Sequence, residues 1–279
     1  MGDMLDPRLN PYRPDIAAAQ LRGRVEAAQF VEATTYEVIE PVADIRRDPA
    51  HEAALDTQAL KGERVAVYEL SEEGWAWGQL ERDGYVGYLS ANALGPVGAA
   101  PTHQVSVPRT FGFPAANIKL PPMIALPMGA GIAVARTTDS FAVDGYGWHY
   151  PLHHVAPLAA PGDFVAMAEM FVSTPYLWGG KSWLGIDCSG LVQLALQTAG
   201  QDGPRDTYMQ EKALGRPVAL GNIRRGDLLF WKGHVAIARD AETMIHANAH
   251  HMMVAIEKTA DAIARIKATG SDVTSVKRL

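Results

Sequence analysis

Short runs alternating between apolar and polar positions dominate residues 34–95. Arg64-Val-Ala-Val-Tyr68, Trp75-Ala-Trp77 and Tyr85-Val-Gly-Tyr-Leu89 are separated by Glu-Glu-Gly and Arg-Asp-Gly turns. A period of two bounded by turn residues predicts half-buried strands. Pro96 to Pro101, rich in Gly and Ala, reads as a linker. The next segment repeats the outline: Leu126-Pro-Met-Gly129, Ile132-Ala-Val-Ala135, Phe141-Ala-Val143 and Asp144-Gly-Tyr-Gly-Trp148. Asp83-Gly84-Tyr85 and Asp144-Gly145-Tyr146 stand 61 residues apart. Two copies of an all-β unit of roughly 60 residues account for this economically, and units so small, with short strands and aromatics, are usually partly open barrels.

The flanks follow another rhythm. Asp15 could cap a helix in which Ile16, Ala19, Gln20 and Gly23 recur at helical spacing, ending near Phe30. After Pro161, Asp163 can cap a helix with an inward face of Phe164, Met167, Ala168 and Phe171, which Thr174-Pro-Tyr-Leu-Trp-Gly-Gly180 then breaks. A second helix is expected from about Ser189, burying Leu191, Leu194, Ala195 and Thr198 and stopping at Gly200. Strands follow at 227–231, 234–238, 244–247 and 254–256. Helices first and strands afterwards make an α+β domain. The expected division is therefore a helical segment (1–33), a first barrel (34–95), a second barrel (102–158) and an α+β domain (160–279).

Composition narrows the classes. Of 279 residues, 48% are apolar and 20% charged, a globular balance. Net charge is −6 with no run of five basic residues, so a nucleic-acid surface is not favoured. No stretch approaches the ~18 consecutive apolar residues of a membrane helix, and no membrane partner is expected. The start, Met1-Gly2-Asp3-Met4-Leu5-Asp6-Pro7, lacks the charged-then-apolar order of a secretory signal, and Gly2 is not followed by the Ser/Thr of a myristoylation site. The expectation is a cytoplasmic protein.

The single cysteine carries the candidate chemistry. Cys188, in Gly185-Ile-Asp-Cys-Ser-Gly-Leu-Val192, falls in the first turn of the second helix. Unpaired N–H groups and the positive end of the dipole there favour thiolate, so its pKa is expected below the free value of about 8.5. A thiolate nucleophile needs an imidazole, and the imidazole an orienting group. His234 shares a strand face with Ala236 and Ala238, and His246 shares one with Met244. A hairpin centred on Asp240 would set His234 directly across from His246, within hydrogen-bonding reach. Cys188, His234 and His246 could instead ligate zinc, but the close ligand pairs of structural zinc sites are missing. No metal or cofactor is expected. The pairs His153-His154 and His250-His251 read as solvated or loop residues, Asp227 as a strand-entry residue bonding local amides, and Trp75, Trp77 and Trp148 as core.

Taken together, Thr174-Pro-Tyr-Leu-Trp-Gly-Gly180, Asp187-Cys-Ser-Gly-Leu191, Pro204-Arg-Asp-Thr207, Gly226-Asp-Leu-Leu-Phe230 and Gly233-His-Val-Ala-Ile237 resemble the NlpC family of papain-like cysteine peptidases over roughly residues 160–256. The two barrels look like bacterial SH3-like (SH3b) domains. The arrangement is similar to dipeptidyl-peptidases that cut γ-D-glutamyl-L-diamino acid bonds of murein peptides. The resemblance implies an α+β papain-like catalytic domain behind two SH3-like barrels, acting on murein-derived peptides in cell-wall recycling. It implies Cys188 as nucleophile, His234 as base, His246 as the residue that orients His234, and Tyr176 in the oxyanion region. Asp187 and Ser189 match residues that contact the substrate's free amine, and Thr207 falls where a Ser is usual. Glu63 and Tyr85 are candidates for the barrel residues that close the pocket. A papain-like amidase or acyltransferase on another amide, and a wall-binding module with a decayed peptidase domain, are the competing readings.

Overall fold

The computed structural model of the protein describes residues 5–158 and 160–279. The expectations about residues 1–4, and Ala159 in the stretch before Pro161, lie outside the described residues. No helix among those described is long and apolar enough to cross a membrane.

The alternating segments of residues 34–95 form one seven-stranded antiparallel sheet. In sheet order its strands are Leu55–Leu60, Val42–Arg46, Val86–Ser90, Trp75–Leu80, Arg64–Leu70, Thr34–Val38 and Leu94–Gly95. Every second side chain turns inward, and Val38, Ala43, Ile45, Val65, Val67, Leu80, Tyr85 and Leu89 make a core of their own. Residues 103–157 form a second all-β unit of three small sheets, with Val105, Leu126, Ala130, Ile132 and Tyr150 at its centre.

The helix expected between Asp15 and Phe30 does not form. Ile16–Ala18 is instead a strand paired in parallel with Gln29–Val31. Asp15 caps nothing and its carboxylate is bound by Arg13. The segment sits on the first sheet: Ile16 packs with Trp77 and Val86, and Arg13 lies 4.4 Å over the Trp77 ring. Tertiary burial has overridden the helical spacing, and Gly23, at φ +78°, breaks the pattern besides.

The C-terminal domain places helix α1 (Phe164–Glu169) and helix α2 (Cys188–Thr198) against one face of a six-stranded antiparallel sheet. In order its strands are Arg216–Pro217, Ser275–Arg278, Leu228–Trp231, His234–Ala238, Thr243–Asn248 and Met253–Lys258. Asp163 caps α1 through Val165 and Ala166 N–H, as the sequence leads one to expect. Leu191, Leu194 and Ala195 of α2 belong to one core with Val235, Ile237, Ile245 and Ala247. Each such leucine contributes on the order of 1.5–3 kcal/mol by leaving water. Helix α3 (Thr207–Ala213) follows the Pro204-Arg-Asp motif. Helix α4 (Thr259–Ala268) covers the opposite sheet face, where Ala262 meets Leu229, Ala236, Ala238 and Met244. Helices α3 and α4 and the Ser275–Arg278 strand were not among the expected elements. Asp227 accepts from Arg224 N–H at 2.8 Å and pairs with Arg278 at 2.7 Å, which holds its carboxyl below the usual range despite burial.

Candidate active site

Asp187 occupies the N-cap of α2 and accepts Gly190 N–H at 2.7 Å. Its other oxygen takes Gly179 N–H at 2.8 Å. Gly179 has φ +76° and stands so close to Leu55 that a Cβ there would meet the Leu55 carbonyl oxygen at 2.5 Å. A glycine is therefore required where this loop passes the first sheet. The buried guanidinium of Arg205 closes the cluster, bonding both Asp187 oxygens at 2.9 and 2.7 Å, Ser189 Oγ at 2.9 Å and Thr57 Oγ1 of the first unit at 2.8 Å. Ser189 Oγ also donates to Asp187 at 3.3 Å. The cap thus fixes the helix entrance, and with it Cys188, to the β unit in front of it.

Cys188 is only 7% exposed. The Val235 backbone N–H acts on its sulfur in favour of thiolate, and Thr207 Oγ1 lies 3.9 Å away. Burial, with Asp187 adding to it, pushes the thiol up to about 11. This corrects the expectation of a lowered pKa. The Val235 amide, Thr207 and Arg205 all favour thiolate, but desolvation in a nearly closed site outweighs them. Arg205 also offsets part of the Asp187 charge, so burial carries the shift. At rest the thiol is neutral.

The residue preceding Val235 is His234, presented by a two-residue turn through Lys232 and Gly233 between paired Trp231 and His234. Its Nε2 lies 2.8 Å from His246 Nδ1. The strand register differs from the one expected. Ile237 pairs with Ile245 and Ala238 with Met244, a two-residue offset, so the histidines are diagonal rather than directly opposed. An even offset keeps both side chains on one sheet face, which is why the contact survives. Burial, with His246 beside it, lowers His234 to about 3, and burial with Arg265 nearby does the same to His246. Both imidazoles are neutral at physiological pH.

A cleft of about 270 Å³ opens over the sulfur, lined among others by Tyr176, Trp178, Ser189, Thr207, Gly233 and, from the first unit, Tyr85. Tyr176 N–H donates to the Met252 carbonyl at 2.9 Å, which anchors the tyrosine beside the hairpin that carries His246. Burial and the neighbouring Cys188 raise its pKa, so the hydroxyl keeps its proton.

Comparison with known proteins agrees with this geometry. Residues 173–270 match the NlpC/P60 family and residues 45–94 match the bacterial dipeptidyl-peptidase SH3 domain. A probable endopeptidase of Haemophilus influenzae is 31% identical over 118 residues, 39% of this chain and 73% of that protein. The chain belongs to the NlpC/P60 family. A γ-D-glutamyl-L-lysine dipeptidyl-peptidase of Bacillus subtilis is 38% identical over 93 residues, 30% of this chain and 31% of that protein. The chain spans about a third of the length of the curated dipeptidyl-peptidases it matches. The crystal structure of an NlpC/P60 family protein from Bacillus cereus superposes with a TM-score of 0.75 at 18% identity, over 88% of this chain and 99% of that one. The fold is therefore NlpC/P60 papain-like with an SH3-like domain ahead of it.

Among these NlpC/P60 site candidates, Cys188, Tyr176, Asp187, Ser189, Thr207 and Tyr85 are brought together around one cleft. His234, whose chain neighbour Gly233 lines the cleft, is bonded to His246. Two expectations need correction. Glu63 lines no part of the cleft: it accepts Leu60 N–H at 2.8 Å and pairs with Lys181 at 3.3 Å in the contact between the units. The Lys181 side chain is fully buried, and its ammonium needs that counter-charge more than the cleft needs an acid. Asp187 reaches the cleft, but Gly190, Gly179, Ser189 and Arg205 take up its oxygens, so it has no acceptor left for a substrate amine. The acids that remain are Asp206, bound by Arg8 at 2.7 Å and within 3.4 Å of Tyr85 Oη, and Asp56, bound by Arg47 at 2.8 Å. Burial raises the Asp206 carboxyl above its ordinary range. Asp206 stands inside the Pro204-Arg-Asp-Thr207 motif, which is its signal in the sequence. Arg8, Arg47 and Asp56 carry no local signal, because only the fold brings them to the cleft.

Proposed function

We propose that this chain is a cysteine peptidase that hydrolyses the γ-D-glutamyl-L-diamino acid bond of murein peptides bearing a free N-terminal L-Ala, in cytoplasmic cell-wall recycling. The observation that carries this reading is the walled cleft over Cys188, a nucleophile at a helix entrance that shares the cleft with Asp56 and Arg47 of the first β unit, Arg8 of the N-terminal segment and Asp206 of the catalytic domain. His234 Nδ1 takes the thiol proton as sulfur attacks the amide carbon. The Cys188 backbone N–H, unpaired in the first helical turn, and the protonated Tyr176 hydroxyl receive the developing oxyanion. The imidazolium then gives its proton to the departing amine. Water, deprotonated by His234, releases the acid from the thioester. Because the thiol is neutral at rest, proton transfer accompanies attack rather than preceding it.

The substrate class is supported by charge. Asp206 sits at the N-cap of α3 yet makes no capping bond, so its carboxylate is turned to the cleft. Inside the cleft, Asp206 and Asp56 suit an ammonium group, while Arg8 and Arg47 suit the free α-carboxylate of a γ-linked glutamate. A zwitterionic dipeptide matches this balance, and the name of the Bacillus subtilis relative points to the same bond. Tyr85 and Arg8 line the same cleft and would restrict a chain extending beyond the amine. We read the second all-β unit as a second SH3-like barrel, from its size, its short strands and its Asp-Gly-Tyr turn.

The test is product analysis by mass spectrometry with L-Ala-γ-D-Glu-L-Lys and its meso-diaminopimelate analogue. Release of L-Ala-γ-D-Glu by the wild type and its loss in C188A are expected. Cleavage by C188A, or no cleavage of either peptide by the wild type, overturns the reading.

A further inference from the structure

Behind the two histidines lies a carboxylate with no part in the mechanism so far. Glu257 Oε2 is 3.1 Å from His246 Nε2 and receives Arg265 Nη2 at 2.6 Å. Its other oxygen is 3.5 Å from His251 Nε2. Glu257 comes from the Met253–Lys258 strand, where it pairs across from Met244, and Arg265 comes from α4. Both lie outside the motifs on which the family resemblance rests.

A neutral imidazole carries one N–H, and the hydrogen bond at one nitrogen decides the role of the other. An ionised carboxylate can only accept. With Glu257 paired to Arg265, the His246 proton must sit on Nε2, which leaves Nδ1 bare. The 2.8 Å contact to His234 then requires His234 Nε2 to be the donor. Neutral His234 is left bare at Nδ1, and its chain neighbour Gly233 lines the same cleft as Cys188. Were His246 protonated at Nδ1 instead, it would donate to His234 Nε2 and the His234 proton would move to Nδ1. An imidazole in that tautomer cannot accept the thiol proton.

We propose that Glu257, held by Arg265, is a positioning residue that sets the tautomers of His246 and His234 and thereby keeps the base nitrogen open toward Cys188. It touches neither substrate nor the reacting atoms. The inference rests on His234 being the base but not on which peptide is cleaved.

Glu257→Gln keeps the shape of the side chain, yet its amide can offer either oxygen or N–H to His246, so the selection is lost. Glu257→Asp keeps an acceptor-only group. Nitrogen-15 spectra of the histidines should show Nε2–H on both His234 and His246 in the wild type and in E257D, and a mixture of tautomers in E257Q. In parallel, alkylation of Cys188 by iodoacetamide at pH 7 should slow roughly tenfold or more in E257Q, in keeping with the cost of losing groups that orient a working histidine, and recover in E257D. Neither readout uses a peptide, so a wrong substrate leaves both intact. Should E257D fail to fold, the E257Q spectra decide alone. Unchanged tautomers in E257Q, or an alkylation rate within twofold of wild type, would overturn the proposal.

Discussion

The two all-β units share a turn and differ in what they do with it. In each, an aspartate accepts the N–H two residues on: Asp83 from Tyr85 at 3.1 Å and Asp144 from Tyr146 at 2.9 Å. Tyr85 is 2% exposed and lines the cleft over Cys188, whereas Tyr146 is 78% exposed. The first unit is fastened to the catalytic domain by Arg205 to Thr57, Lys181 to Glu63, and Gln193 to Asp83 at 2.8 Å. The second reaches it through contacts such as Gln104 Nε2 to the Thr198 carbonyl at 3.0 Å, far from the thiol at the other end of α2. The same local chemistry thus yields a wall of the site in one unit and a surface turn in the other. Docking, not the turn, decides function.

The largest effect belongs to neither unit and gives the baseline for both. C188A should abolish turnover while leaving the thermal midpoint within a few degrees, because the sulfur makes only weak contacts; activity assays and melting curves check this. Next, R205A should destabilise the protein by about 3–5 kcal/mol, since it leaves Asp187 buried without its partner. Q104A should cost only about 1 kcal/mol. Denaturant titrations compare the two, and equal losses would break the asymmetry.

Acid should act on the catalytic domain. In unfolded chains histidines take up protons as pH falls through about 6.5, but His234 and His246 in the fold do so only near 3. Stability present above about pH 6.5 is therefore lost progressively as pH falls toward 3. H246N should flatten that decline, as measured by urea melts at pH 7 and pH 4.5. The smallest effects return to the tyrosines. Y85A should raise KM about tenfold, roughly 1.4 kcal/mol, while Y146A should leave kcat/KM within twofold. Steady-state kinetics on one peptide measures both.

Much of this was legible in the sequence because it is local. Asp163 announces the start of α1 and Gly200 the end of α2, and the even spacing of His234 and His246 keeps them on one face in any register shifted by an even number of residues. The failures have one cause, namely that tertiary contacts decide. Ile16, Ala19, Gln20 and Gly23 have helical spacing, but Ile16 is claimed by Trp77 and Ile16–Ala18 by a parallel partner strand. Glu63 sits in a turn of the right barrel but is claimed by Lys181, 118 residues away in sequence. The Cys188 thiol has a helix terminus in its favour, yet its desolvation follows from the fit of whole domains, which no motif reports. Asp56, Arg8 and Glu257 were hidden for the same reason.

We propose that the first unit, together with Asp206 of the catalytic domain, shapes the cysteine-peptidase cleft into a pocket that demands a free amine. The most direct measurement is kcat/KM for L-Ala-γ-D-Glu-L-Lys against its N-acetylated form, in the wild type and in D206N. The account predicts a preference of about a hundredfold or more for the free amine in the wild type, on the order of 3 kcal/mol, and a collapse of that preference in D206N. Equal rates on the two peptides in the wild type would contradict it.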